Sequence, residues 1–179
     1  YIRAEYPEAI SILQKAIEPF NQIFPHQKRN GDIVNFKLHV VKAQGAYICG
    51  EETALLSSLE GLRPEVRTRP PFPSQYGLFG KPTAVNNVET LANVYAILSD
   101  GGTAFKAIGT AKSAGTKLLS LDSHFNNPGL YEVDMGTPLS VVINELGGGL
   151  KEPIKAFHIG GPLGGLVPFH KIADLTIDF

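Results

Sequence analysis

The stretch Gly45-Ala46-Tyr47-Ile48-Cys49-Gly50-Glu51-Glu52-Thr53-Ala54-Leu55-Leu56-Ser57-Ser58-Leu59-Glu60-Gly61 reads as a tight turn running into a short helix. Gly50 marks the turn, two acids place negative charge in the first helical turn, and Gly61 supplies the left-handed residue that closes a helix. Immediately upstream, residues 35–43 alternate in polarity, with Phe36, Leu38 and Val40 on one side, which predicts a strand after a polar turn at Asn30-Gly31-Asp32. Strand, turn, helix is the local grammar of an α/β protein.

On the N-terminal side, Ala9, Ile10, Ile12, Leu13, Ala16, Ile17 and Phe20 fall at helical spacing, predicting an amphipathic helix over residues 6–20. On the C-terminal side, residues 61–84 are rich in proline and glycine and predict a functional loop or a linker. A second helix is expected from Asn86-Asn87, with Val88, Leu91, Ala92, Val94, Tyr95, Ile97 and Leu98 as its apolar side, ending at Asp100-Gly101-Gly102. A short helical turn over 103–108 follows. Past Thr110 the pattern changes to strands at 117–121 and 130–133 around Asn127-Pro128-Gly129, then a helix opened by Pro138 and stopped by Gly147-Gly148-Gly149. A strand over 154–159 leads into the glycine run 160–165, read as a tight turn between strands. The domain boundary is expected at 110/111, with a small β-grasp unit over 111–179.

Composition removes several classes of function. Sixteen basic and 17 acidic residues are interspersed, with a formal net charge of -1, so neither nucleic acid nor an anionic membrane is an expected partner. No apolar run approaches the roughly 20 residues that span a bilayer, and direct membrane insertion is not expected. The opening Tyr1-Ile2-Arg3-Ala4-Glu5 lacks an initiating Met and the plan of a signal peptide, which predicts a soluble piece of a longer protein. The single cysteine, Cys49, rules out an internal disulfide and a cluster or zinc site made by this chain alone. Without a His partner it reads as a small buried filler.

Three constellations bear on chemistry. Glu51 and Glu52 at the helix start would repel a phosphate; they suit hydrogen bonds from ligand hydroxyls or ring N–H groups, or simply complement the helix dipole. The helix start at Val85-Asn86-Asn87-Val88-Glu89-Thr90 is the better phosphate seat, although it too can be a plain cap. Phe72, on the proline-rich loop near Arg63, Arg67 and Arg69, can stack a nucleotide base beside phosphate-binding guanidiniums; alternatively it is a buried pin for a surface loop.

These segments, together with Pro70-Pro71-Phe72-Pro73, Gly80-Lys81-Pro82-Thr83 and Val85 to Val94, closely resemble the flavin subunit of NADH:quinone oxidoreductase and of related soluble hydrogenases and formate dehydrogenases. The flanks, with Tyr1 to Pro7, Asn127-Pro128-Gly129, Gly136-Thr137-Pro138 and Gly160-Gly161-Pro162, are similar to the same family. The resemblance implies an internal part of an FMN-dependent NADH dehydrogenase: the C-terminal half of a Rossmann-like FMN-binding domain over 1–110, then a soluble-ligand-binding β-grasp domain over 111–179. It implies that Tyr47, Gly50, Glu51 and Glu52 face the isoalloxazine and ribityl groups, with Glu52 tuning the flavin potential. Val85, Asn86, Asn87 and Thr90 would take the phosphate end. Phe72 would stack on the adenine of NADH. The implied partners are a thioredoxin-like 2Fe-2S subunit and a further iron-sulfur subunit, in the cytoplasm or peripherally on the cytoplasmic side of the inner membrane.

The departures carry expectations of their own. The family's upstream G-R-G-G-A-G-F segment would precede Tyr1, and its cysteine cluster, which holds a 4Fe-4S centre in the C-terminal part, would follow Phe179. This stretch alone is therefore expected to be inactive. Pro64 stands where the family pattern has Gly, and Arg69 where it often has Lys, which bears on the choice between NADH and NADPH.

Overall fold

The structure, a computed structural model, describes residues 1–24, 28–29, 32–33, 36–43 and 45–178. It forms two compact units, Tyr1–Asn86 and Asn87–Phe179.

In the first unit, α1 (Pro7–Ile23) begins with proline at a position where no intrahelical N–H is needed, and runs one turn beyond the predicted end. The rings of Phe20 and Phe24 stack at 4.6 Å, with Phe36 edge-on at 6.2 and 5.9 Å. The Asn21 side chain accepts from the Leu38 N–H and donates to the Leu38 carbonyl, both at 2.9 Å, as a neighbouring strand would. Residues 36–43 correct the strand expectation. They are extended but form no ladder, and their one bridge is parallel, Ile2 with Lys42. Alternating polarity marks a half-buried extended chain; a strand also needs a partner along its length, and among the described residues only Ile2 provides one. Asn30, Gly31 and Asn35 of the expected turn and strand lie outside the described residues. A two-residue antiparallel ladder joins β1 (Lys28–Arg29) to β2 (Asp32–Ile33).

A 3-10 turn, Tyr47–Gly50, then leads into α2 (Glu52–Leu59). Its end follows the glycine signal: Gly61, at φ +78°, donates to Ser58 at 3.1 Å, and Leu62 donates to Ser57 at 2.9 Å. That pair of bonds satisfies the last carbonyls of the helix in a Schellman motif.

The second unit starts with α3 (Val88–Asp100) and α4 (Gly102–Lys106), close to the expected bounds. The apolar side expected on α3 is not buried: Tyr95 is 79% and Leu98 80% exposed. A six-residue hairpin follows, β3 (Thr116–Leu121) with β4 (Gly129–Asp134), registered from Thr116↔Asp134 to Leu121↔Gly129. The helix opened at Pro138 is α5 (Leu139–Val141), which widens into a π turn over Val142–Leu146. Gly147 donates to the Val142 carbonyl, five residues back, at 2.9 Å. A Cβ there would stand 2.4 Å from the Phe125 ring, so the close approach requires glycine. The glycine run is a turn between strands, as read: it joins β5 (Ala156–Ile159) to β6 (Gly165–Pro168). Phe125, Leu139, Val142, Ile143 and Ile172 form the core of this unit.

Helices and small antiparallel sheets thus make a mixed α/β chain. The second unit runs hairpin, helix, hairpin, and among the described residues the two hairpins are separate two-stranded ladders. The two units divide at Asn86/Asn87, and within the second Glu89 on α3 bonds to the Leu118 N–H of β3. No helix of the described residues is long and apolar enough to cross a membrane.

Candidate functional site

The turn before α2 presents a bare surface. Tyr47 is half exposed, while Cys49 is buried at 3% exposure, the filler that its lack of a partner suggested. No atom lies within 4 Å of where a Cβ on Gly50 would stand, so the backbone there is open to a flat group.

The two acids have different jobs. Glu51 is the cap of α2: its Oε2 accepts from the Thr53 N–H at 2.9 Å, the Ala54 N–H at 2.9 Å and the Thr53 hydroxyl at 2.6 Å. Its Oε1 accepts from Nη2 of Arg69 at 2.7 Å. Partial burial pushes the Glu51 carboxyl up, but the Thr53 hydroxyl, the two backbone N–H groups and Arg69 outweigh it and hold the group below the usual carboxylate range. Glu52 meets the same guanidinium, with Oε1 2.9 Å from Nη1. Among the described residues no donor reaches its Oε2, and its side chain is 33% exposed.

The proline-rich loop is folded against α2. Arg67 donates its backbone N–H to the Thr53 hydroxyl at 2.9 Å and its Nε to Ser57 at 3.0 Å, and its guanidinium pairs with Glu60. Glu60 also accepts the N–H of Phe79, whose φ of +50° lies in the left-handed region. Pro73 and Gly77 are buried, and Thr83 bonds back to the Pro73 carbonyl at 2.9 Å. Phe72 is not the pin: it is 51% exposed, which removes the buried-anchor alternative. Of the three arginines read as phosphate ligands, Arg67 and Arg69 are held by the chain's own acids, and Arg63 lies 3.4 Å from Glu65 with both exposed.

Val85 and Asn86 end the first unit; Asn87 and Thr90 open the second. Asn87 is the N-cap of α3, its side-chain oxygen accepting from the Glu89 N–H at 2.8 Å. The N–H groups of Val88 and Thr90 make no hydrogen bond among the described residues. Glu89 is turned to β3, where it pairs with Lys117 and accepts the Leu118 N–H at 3.0 Å. Lys117 first, then the Leu118 N–H, hold its carboxyl low against the opposing effect of burial. The acid in the first turn of α3 is thus paired with a cation from β3.

Sequence reading missed Arg69 as a fork across adjacent acids and Lys117 as the partner of Glu89. An arginine in an aperiodic loop and a lysine at the start of a strand carry no local signal of what they meet.

Comparison with known proteins gives a consistent family. Residues 1–96 match the sequence model of the Nuo51 FMN-binding domain. The chain is 46% identical, over its whole length, to the NADP-reducing hydrogenase subunit HndC of Solidesulfovibrio fructosivorans, and covers 37% of that protein. It is 47% identical over 83% of its length to an NADH-quinone oxidoreductase subunit of Aquifex aeolicus, covering 35% of it. It therefore spans little more than a third of these curated relatives. Among solved structures, a crystal structure of an NAD+-reducing [NiFe]-hydrogenase in the H2-reduced state superposes with a TM-score of 0.85 at 35% identity, over 100% of this chain and 30% of that one. This chain belongs to the Nuo51 FMN-binding domain family.

Proposed function

We propose that this chain is the flavin-holding core of an oxidoreductase subunit that takes electrons from NADH through FMN to iron-sulfur clusters. The observation that carries the reading is the start of α2 in the first unit, whose chemistry suits the ring end of FMN. There Tyr47 and the open backbone of Gly50 suit a planar ring, and Oε2 of Glu52, which no donor reaches among the described residues, can receive a ring or ribityl hydrogen bond. Taken by itself, the start of α3 suits a phosphate: among the described residues the N–H groups of Val88 and Thr90 make no hydrogen bond, and the helix dipole is positive there; the family resemblance assigns Val85, Asn86, Asn87 and Thr90 to phosphate. When bound, FMN supplies the exchange between two-electron and one-electron steps. The chain's own part is to hold, orient and set the charge around it. The half-exposed ring of Phe72 offers a stacking face for the adenine of NADH.

In this reading residues 1–110 are the C-terminal half of a Rossmann-like FMN domain and residues 111–179 a β-grasp domain, as the order hairpin, helix, hairpin supports. Its partners are a thioredoxin-like 2Fe-2S subunit and an iron-sulfur subunit, in the cytoplasm or against the cytoplasmic face of the inner membrane, and a 4Fe-4S cluster belongs to a part outside these residues. A second reading, the diaphorase subunit of an NAD(P)-linked hydrogenase or formate dehydrogenase, is favoured by the full-length similarity to a hydrogenase subunit and by the [NiFe]-hydrogenase superposition. Both readings use the same flavin site.

A fluorescence titration of FMN with the purified chain tests it. Saturable quenching with a shifted flavin absorption band is the expected result. No quenching from a folded chain, with no quenching from the complete subunit either, would refute flavin binding and favour a non-catalytic scaffold. Quenching only by the complete subunit would place indispensable contacts outside these residues and leave the chain inactive by itself.

A further inference from the structure

The geometry points to Arg69 as a positioning residue of the flavin site, holding Glu51 to the helix and leaving Glu52 a single oxygen for ligand while cancelling half of the pair's negative charge. The inference rests on the proposed FMN site. Its structural basis is the fork: Nη2 meets Glu51 at 2.7 Å and Nη1 meets Glu52 at 2.9 Å. A planar guanidinium presents its two terminal nitrogens side by side, so it can bridge carboxylates on consecutive residues; an ammonium, a point charge on a flexible stem, cannot hold both in fixed directions. Glu51 has both oxygens engaged, Oε2 by three donors at the helix start and Oε1 by Arg69. Among the described residues Glu52 has one oxygen bound and one open. Without Arg69 a bound ring would face two carboxylates of total charge minus two; with it, the net charge is minus one, and the open oxygen has a fixed direction.

Reduced flavin is the more negative form, so added negative charge nearby weakens its binding more than that of oxidised flavin. In the complete subunit, Arg69→Gln is expected to bind reduced FMN about tenfold more weakly relative to oxidised FMN than wild type does, the size of one uncompensated charge at a partly solvated site. Arg69→Lys keeps a cation but not the fork, and a shift of intermediate size is expected. A wild-type ratio in either variant overturns the proposal, and if Arg69→Gln does not fold, the lysine variant decides alone. A readout that needs no flavin separates this from the FMN reading itself: in the apo subunit, carbon NMR should show the Glu51 carboxyl titrating at higher pH in Arg69→Gln than in wild type. Absence of that rise refutes the clamp. A rise in a protein whose wild type takes up no FMN leaves the clamp standing as a helix tie, and refutes its role toward flavin together with the function proposed above.

Discussion

Replacing Glu51 by alanine removes, in one step, three hydrogen bonds to the start of α2 and one contact to Arg69. Loss of an N-cap side chain costs about 1 kcal/mol in most helices. Here the cap is ionised and receives a hydroxyl as well as two N–H groups, which places the cost toward the upper end of the range, about 1.5 kcal/mol. The contact to Arg69 adds little, because that arginine's side chain is 38% exposed and solvent screens it; about 0.5 kcal/mol is a generous allowance. The sum is about 2 kcal/mol, or a shift of about 1 M in the urea midpoint of the unit that carries α2. The pH dependence has a definite sign. The folded carboxyl titrates below the ordinary value of 4.5, so its contribution is complete above that value and is lost as pH falls through the folded one. Wild type and Glu51→Ala should therefore differ most near neutrality and converge progressively in acid. Urea unfolding followed by far-ultraviolet circular dichroism measures both, and since the chain has six tyrosines and no tryptophan, tyrosine fluorescence is the second probe. A neutral-pH difference below about 0.5 kcal/mol, or one that persists undiminished in acid, would refute the assignment of Glu51 as a charged cap.

Three further outcomes are expected. Gly147→Ala forces a Cβ to within 2.4 Å of the Phe125 ring and 2.9 Å of the Ile143 carbonyl, so it should destabilise the second unit by about 3 kcal/mol in the same unfolding assay. In the complete subunit, Glu52→Gln should raise the flavin midpoint potential by on the order of 20 mV, equivalent to about 1 kcal/mol over two electrons, and spectroelectrochemistry showing no change would remove Glu52 from the ring. Phe72→Ala should raise KM for NADH more than it lowers kcat, because adenine stacking is binding remote from the reacting atoms; a pure kcat defect in steady-state kinetics would contradict it.

What could be read before the structure was what depends on neighbours in the chain. The end of α2 at Gly61, the cap at Asn87, the hairpin around Gly129 and the turn at 160–165 are each fixed by local dihedral and hydrogen-bond needs, and each formed where its residues said. What depends on partners distant in sequence was not legible. Residues 36–43 alternate like a strand, yet whether they become one rests on what lies beside them, and Ile2 alone does so among the described residues. The apolar side of α3 was correctly placed on the helix, but periodicity does not say whether a face is covered. For the site, residue types and spacing located the two helix starts; they did not reveal that Arg69 and Lys117 engage the acids there.

The two helix starts share one electrostatic solution. Each carries an acid in its first turn, Glu52 in α2 and Glu89 in α3, and each acid is drawn sideways by a cation from a later segment, Arg69 or Lys117. Where the solutions differ is in what is left over. At α2 the cap is itself an acid, so the first N–H groups are consumed by Glu51 and the remaining polarity is the open carboxylate oxygen of Glu52, an acceptor. At α3 the cap is the neutral Asn87, which takes one N–H only and leaves those of Val88 and Thr90, which are donors. Taken separately, the acceptor left at α2 suits a hydrogen-bonding ring or ribityl group, and the donors left at α3 suit a phosphate. What is left at each helix start follows from the choice of Glu at 51 and Asn at 87, and under the proposed function a change of either cap, to Gln at 51 or Asp at 87, should weaken FMN binding. Glu51→Gln relaxes the ring end, whereas Asn87→Asp puts a negative charge at the phosphate end and should cost more affinity for FMN than for riboflavin. Equal losses for the two ligands in Asn87→Asp would refute the placement of the phosphate at α3.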